Sequence, residues 1–198
     1  LAIIVDKTQK RKDIALACKD ALINDGIHNV SISKLTKAAG ISKGSFYDYF
    51  ENKNDLIFEI INISLSKHNE LKQNKLNSVK TTREKAKVFL QIFYDEDDEE
   101  LKNLYKEFLS ISLSNPTKDI LDYHKNRNDE YFEWFVSIFN DGIKKGELNP
   151  EALNLVKGLF ILGNGLFLSG LTCNFHKNDS YMEEVNEFID VIFNFVEV

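Results

Sequence analysis

Apolar and polar residues alternate with the 3.6-residue period of a helix through nearly the whole chain. Ile14, Ala17, Cys18, Ala21 and Leu22 recur at i, i+3, i+4, i+7 and i+8, which predicts one amphipathic helix from about Thr8 to Asp25. Gly26 stops it, because glycine accepts the left-handed conformation at a helix end. Ser31 offers a capping hydroxyl to a short second helix with Ile32, Leu35 and Ala39 inward, and Gly40 ends that helix. Ser42 caps a third, very short helix. A fourth begins near Asn52 or Asn54 and continues to about Leu76. Further helices are predicted at about 81–94, 97–113, 117–145, 150–173 and 180–196, with Pro116 and Pro150 at the breaks. No stretch carries a convincing strand pattern. The chain therefore reads as all-α, about nine helices, with a three-helix N-terminal head over 1–53 and a larger helical body over 54–198.

The stretch GISKGSFYDYFENKNDL, residues 40–56, mixes aromatic and small polar residues on one short helix. On a wheel of roughly 100° per residue, Phe46 and Phe50 share one side and become inward anchors. Gly44, Ser45 and Asp48 point the other way, Tyr47 and Tyr49 flank them, and Lys43 sits at the helix entry. That outer face is small and polar, and it suits a DNA major groove, which is ~12 Å wide and admits one helix. Glycine at 44 lets the backbone approach closely. Hydroxyls, ammonium groups and helix N-terminal amides bind phosphate oxygens well. Two small helices joined through Gly40-Ile41 form a helix-turn-helix pattern.

Residues 8–60 resemble the N-terminal head of the TetR family of bacterial regulators. The matching features are Ile14, Ala17-Cys18, Gly26, Ser31, Ala39-Gly40, Ser42-Lys43-Gly44, Phe46-Tyr47, Phe50, Lys53 and Leu56. Thr36, Lys34 and Asp48 depart from the family pattern. The resemblance implies an all-helical homodimer, a repressor in most members, that binds a double-stranded DNA operator and is released by a small molecule. It places Ser31, Lys43, Tyr47 and Lys53 on phosphates and Ser45 and Tyr49 on base edges or adjacent backbone. Ser33, Ser42 and Gly44 complete the DNA-facing set, and Lys10 and Arg11 would reach toward the flanking groove.

Charge changes the picture in one respect. Residues 1–60 hold nine Lys/Arg against eight Asp/Glu, while 61–198 hold sixteen against twenty-three, so the net charge of −6 belongs to the body. A generally sticky nucleic-acid binder is excluded, and DNA contact is confined to the head. The two cysteines, Cys18 and Cys173, read as buried reduced thiols of a cytoplasmic protein. LAIIV at the start is too short for a secretory core, and 158–171 falls short of the ~20 residues of a membrane span, so a buried helix is expected there. No metal spacing and no cofactor motif occur, and the acidic run at 95–100 reads as a loop entering a helix.

Small residues among Leu and Phe at 150–173, and the apolar circumference of the last helix, predict a homodimer through those two helices. Aromatic residues of the middle helices predict an apolar effector pocket, with Phe93, Phe108, Tyr131, Trp134 and Phe135 as candidate walls and Tyr131 with Trp134 foremost. The acidic body favours a cationic or neutral effector. The alternative is a helical scaffold or an enzyme of the same shape without DNA binding. The four histidines form no HExxH pair, and no nucleophile elbow or phosphate loop is present.

Overall fold

A computed structural model describes residues 6–91, 99–173 and 179–198. Its helices are α1 (Lys7–Asp25), α2 (Ile32–Ala38), α3 (Lys43–Tyr49), α4 (Lys53–Ser78), α5 (Thr82–Gln91), α6 (Glu99–Ser114), α7 (Lys118–Lys144), α8 (Leu153–Cys173) and α9 (Asp179–Phe193). A 3-10 turn at Pro150–Ala152 leads into α8. The fold is all-α. The extended pairing among the described residues is a single antiparallel bridge between Leu148 and Glu197. Of the acidic run, 95–98 lie outside the described residues, and Glu99 and Glu100 open α6.

The chain divides into two compact units. The first comprises residues up to 68 together with 99–124, and the second 69–98 with 125–198. The first unit's core holds Ile14, Cys18, Leu22, Leu35, Phe46, Phe50 and Leu56, with Leu104 and Phe108 of α6. Its α1 stripe differs from the predicted one. Ala15 is wholly buried, whereas Ala17 is exposed. Ile14, Cys18 and Leu22 centre the stripe, and on a 100° wheel Ala15 falls inside that arc while Ala17 falls outside it.

Local chemistry fixes each end in the head. Asp6 caps α1, its carboxylate accepting from the Thr8 and Gln9 amides. Ser31 accepts from the Lys34 amide at the start of α2, and Ser42 from the Ser45 amide at the start of α3. At the end of α2, Gly40 has φ +64°, its amide donates to the Lys37 carbonyl, and the Ile41 amide donates to the Thr36 carbonyl. Those two bonds form a Schellman closure that needs a left-handed residue between them. Thr36 is buried and its hydroxyl donates to the Ser33 carbonyl, so the departure from the family pattern leaves no unsatisfied group. Lys34, which stands where a capping carboxylate is common, ion-pairs with Asp25 at the end of α1 instead.

The second unit is built round Phe89, Phe135, Phe139, Phe160, Ile189 and Phe193. Its α8 is not the buried helix expected. By length and composition the segment 150–172 would pass for a membrane span, yet only 33% of its apolar window is covered within the chain. Ile161 and Leu168 of α8 are exposed, as are Phe188 and Val191 of α9 and Phe195 just beyond it.

Candidate nucleic-acid interface

The candidate surface is α3 with the turn before it. Phe46 and Phe50 are buried, their rings 5.4 Å apart, and they anchor the short helix to the head's core. Burying two phenylalanines contributes roughly 2–3 kcal/mol each, far more than seven residues of helix could supply unaided. The opposite side faces solvent. Ser42, Lys43, Gly44, Tyr47 and Asp48 are exposed, and Ser45 is half-buried. The Tyr47 ring leans edge-on against Phe46 at 5.3 Å, so its phenol projects from the helix. Tyr49 is half-buried and packs on the core, a more structural position than its neighbour's.

Hydrogen positions matter for what this face can donate. The Ser31 and Ser42 hydroxyl oxygens accept backbone amides, which leaves the Ser31 hydrogen available outward. Ser42 and Ser45 share one hydrogen bond of 3.1 Å, so that pair retains one free hydroxyl hydrogen. Ser33 is exposed on the first turn of α2. A Cβ placed on Gly44 would meet only the Ser42 hydroxyl oxygen, at an ordinary 3.6 Å. Nothing among the described residues requires glycine there.

Two basic residues have internal partners. The Lys53 ammonium donates to the carbonyls of Ile27, His28 and Val30 at 2.8, 3.4 and 3.3 Å, tying α4 to the turn between α1 and α2. All three of its donors are engaged, so a phosphate contact from Lys53 requires exchange of a carbonyl. Burial lowers its pKa from the ordinary lysine value. Arg11, expected to reach toward a flanking groove, is instead a structural clasp. It pairs with Asp55 at 2.6 Å and Glu59 at 2.9 Å, donates to the Tyr49 carbonyl and lies 4.4 Å from the Phe50 ring. Pairing partners 44 and 48 residues away give no local signal in the sequence. Burial works against the Asp55 charge, but the Arg11 hydrogen bond, the Glu51 amide and the Arg11 charge together hold its carboxyl below the usual range. On α6, Glu107 accepts from the Ile27 amide at 3.2 Å, so the turn that holds Lys53 is also held from above.

The family model described as bacterial regulatory proteins, tetR family, matches residues 17–60, which span the end of α1 through the start of α4. The head is therefore similar to that of the TetR family. A relative described as the HTH-type transcriptional regulator QacR, from Staphylococcus aureus, is 25% identical over 143 residues, covering 70% of this chain and 73% of that protein. The TetR-family fold extends through the body. A transcriptional regulator from Cytophaga hutchinsonii superposes with a TM-score of 0.73 at 20% identity, over 98% of each chain. The transcriptional regulator FadR from Bacillus subtilis, solved in complex with stearoyl-CoA, gives 0.68 at 20% identity over 89% of this chain and 96% of its own.

The predicted pocket residues are divided between the two units. Phe93 lies outside the described residues. Phe108 belongs to the first unit, edge-on to Phe58 and stacked on His124 at 4.5 Å. Tyr131, Trp134 and Phe135 belong to the second unit, and Phe135 is wholly buried core. Of the five, Trp134 lines an open cleft of about 260 Å3, whose other walls are mostly polar and include Gln73, Thr82, Lys85 and Asp141. The sequence reading missed Lys72, which lies buried against Phe89, Tyr131 and Trp134. Its signal was present: Leu65, His68, Lys72 and Leu76 follow the inward stripe of α4.

Proposed function

We propose that this chain is a cytoplasmic homodimeric repressor of the TetR family that lays α3 in the major groove of a pseudo-palindromic operator and leaves it when a small apolar or amphipathic effector binds. The observation that carries this reading is the two-sided character of α3. Its phenylalanines are buried, while a glycine, hydroxyls, a lysine and an outward tyrosine form a face that is largely open among the described residues. Lys43, Tyr47, Ser31 and Ser42 are assigned to phosphates, and Ser33, Gly44, Ser45 and Tyr49 to the close approach along base edges. Lys53 holds the α1–α2 turn and reaches a phosphate only by releasing a carbonyl. These contacts all lie within 1–53, which we take as the DNA-binding domain, with 54–198 as the ligand-binding and dimerisation domain.

Ile161, Leu168, Phe188, Val191 and Phe195 supply exposed apolar side chains on α8, on α9 and just beyond it, and a second copy of the chain is their assigned cover. The two-fold axis of such a dimer matches half-sites a multiple of ~34–36 Å apart. An effector in the body finds support in the stearoyl-CoA complex of the FadR relative. Helix α4 contributes residues to both compact units, dividing after His68, so one element serves the head and the body. A gel-shift titration against the protein's own promoter at several salt concentrations tests the reading. Specific, salt-dependent retardation is expected, and equal affinity for an unrelated duplex would contradict it.

A further inference from the structure

Asp48 stands at the centre of the open side of α3. On a wheel of roughly 100° per residue it lies roughly 200° from Phe46, with Gly44 one turn before it on the same side. Both residues are exposed, and Ser45 and Tyr47 flank them. Inside the chain this carboxylate has no task. Among the described residues, no hydrogen bond or ion pair engages it. Other acids of the head are engaged: Asp6 caps α1, Asp25 pairs with Lys34, and Asp55 and Glu59 pair with Arg11. The position is also unfavourable. Asp48 belongs to the last turn of α3, where free carbonyls disfavour a negative charge and no basic residue offsets it. Against DNA the charge is worse placed still, because phosphates border both sides of the groove. A residue that costs on both counts calls for a compensating contact.

We propose that Asp48 is a specificity-determining residue whose carboxylate accepts a hydrogen bond from the 4-amino group of a cytosine in each operator half-site. This role rests on the regulator reading, which lays α3 in the major groove. An ionised carboxylate only accepts hydrogen bonds. In the major groove cytosine presents a donor, guanine presents two acceptors, and thymine presents an acceptor and a methyl group. Adenine has a donor, but its N7 acceptor lies beside it. The carboxylate is therefore attracted by cytosine and repelled by guanine and thymine. Gly44 supplies the room. With no side chain one turn before Asp48, a base edge can come alongside the short aspartate arm, and the one atom a Cβ at 44 would meet is the Ser42 hydroxyl oxygen. Glycine and aspartate together form a notch with an acceptor on its wall. Repulsion from the phosphates makes the same residue reject duplexes that lack the cytosine.

Selection from a pool of randomised duplexes, run with the full-length wild type and with Asp48→Asn, tests the role, and circular dichroism checks that the variant folds. The wild type is expected to enrich a C·G pair at one position of each half-site. Any other pair there should weaken binding about 5–150-fold, the range for one mismatched pair. Asp48→Asn should keep the preferences at the remaining positions and shift this one from cytosine toward adenine, which an amide reads through N6 and N7. In the selected operator, that cytosine is then replaced by 2-pyrimidinone, which lacks the 4-amino group. The replacement should weaken the wild type by a similar factor and Asp48→Asn by less than about threefold. Both proteins meet the same modified duplex, so its altered stability cancels from the comparison. Identical preferences at every position, with Asp48→Asn binding all duplexes uniformly more tightly, would overturn the role and leave a merely repulsive charge, while the regulator reading stands. A wild type that binds every duplex equally removes the regulator reading and this role with it.

Discussion

Replacing Gly44 separates what the protein needs from what DNA needs. A Cβ at this position meets only the Ser42 hydroxyl, at 3.6 Å, and the residue is exposed within a helix. Gly44→Ala should therefore stabilise the chain by about 0.5–1 kcal/mol, since alanine loses less backbone freedom on entering a helix. For a chain of this size that raises the melting temperature by about 1–4 °C. In the groove the effect has the opposite sign. Gly44→Leu places a branched side chain between the backbone and the base edges, and specific affinity should fall to the non-specific level, a loss of about 1,000-fold or more. Fluorescence anisotropy with a labelled operator at fixed salt gives the affinity, and a thermal melt gives the stability. A folded Gly44→Leu dimer that binds its operator within about threefold of wild type would refute the orientation assigned to α3.

The internal clasps make further demands. Lys53→Met removes three hydrogen bonds to the α1–α2 turn and should cost about 1–3 kcal/mol in denaturant unfolding. If the ammonium also exchanges a carbonyl for a phosphate, the salt slope of operator binding falls by about one, and an unchanged slope ends that second role. Asp55, with its folded-state pKa depressed, stabilises the fold above its unfolded value near 4 and loses that contribution as pH falls through the lower folded value. Removing its partner in Arg11→Met should move the Asp55 titration upward in an NMR experiment, and a titration that stays in place contradicts the pairing. Ile161→Glu and Phe188→Glu each put a charge on the exposed apolar face, so sedimentation should show a monomer of 22.8 kDa where the wild type gives twice that mass. Variants that sediment as the wild type does would move the interface elsewhere.

The starts and stops of the head were legible because each is a local chemical event. Ser31 and Ser42 cap, Gly40 turns left-handed, and Phe46 and Phe50 stand one turn apart on a helix too short to hide them anywhere else. Ala17 misled because it matches a spacing from Ile14, yet the stripe is centred by Cys18 and Leu22 and takes Ala15. Arg11 was beyond reach for a different reason. Its partners Asp55 and Glu59 become neighbours only when α1 packs on α4. The aromatic residues of the body share one helical period, and period alone cannot assign Phe108 to one cluster and Trp134 to another. Likewise α8 has the composition of a buried helix, yet only 33% of its apolar window is covered within the chain, and composition carries no signal of that share.

The central claim is that the exposed face of α3 meets DNA, and crosslinking reads this directly. A photo-crosslinking phenylalanine analogue is placed at Tyr47, a residue 56% exposed, and for comparison at Leu71 on α4, exposed to a similar 52%. With the operator duplex bound and irradiated, position 47 should attach to DNA and position 71 should not. A protein that shifts the operator yet attaches to it from 71 and never from 47 would contradict the account.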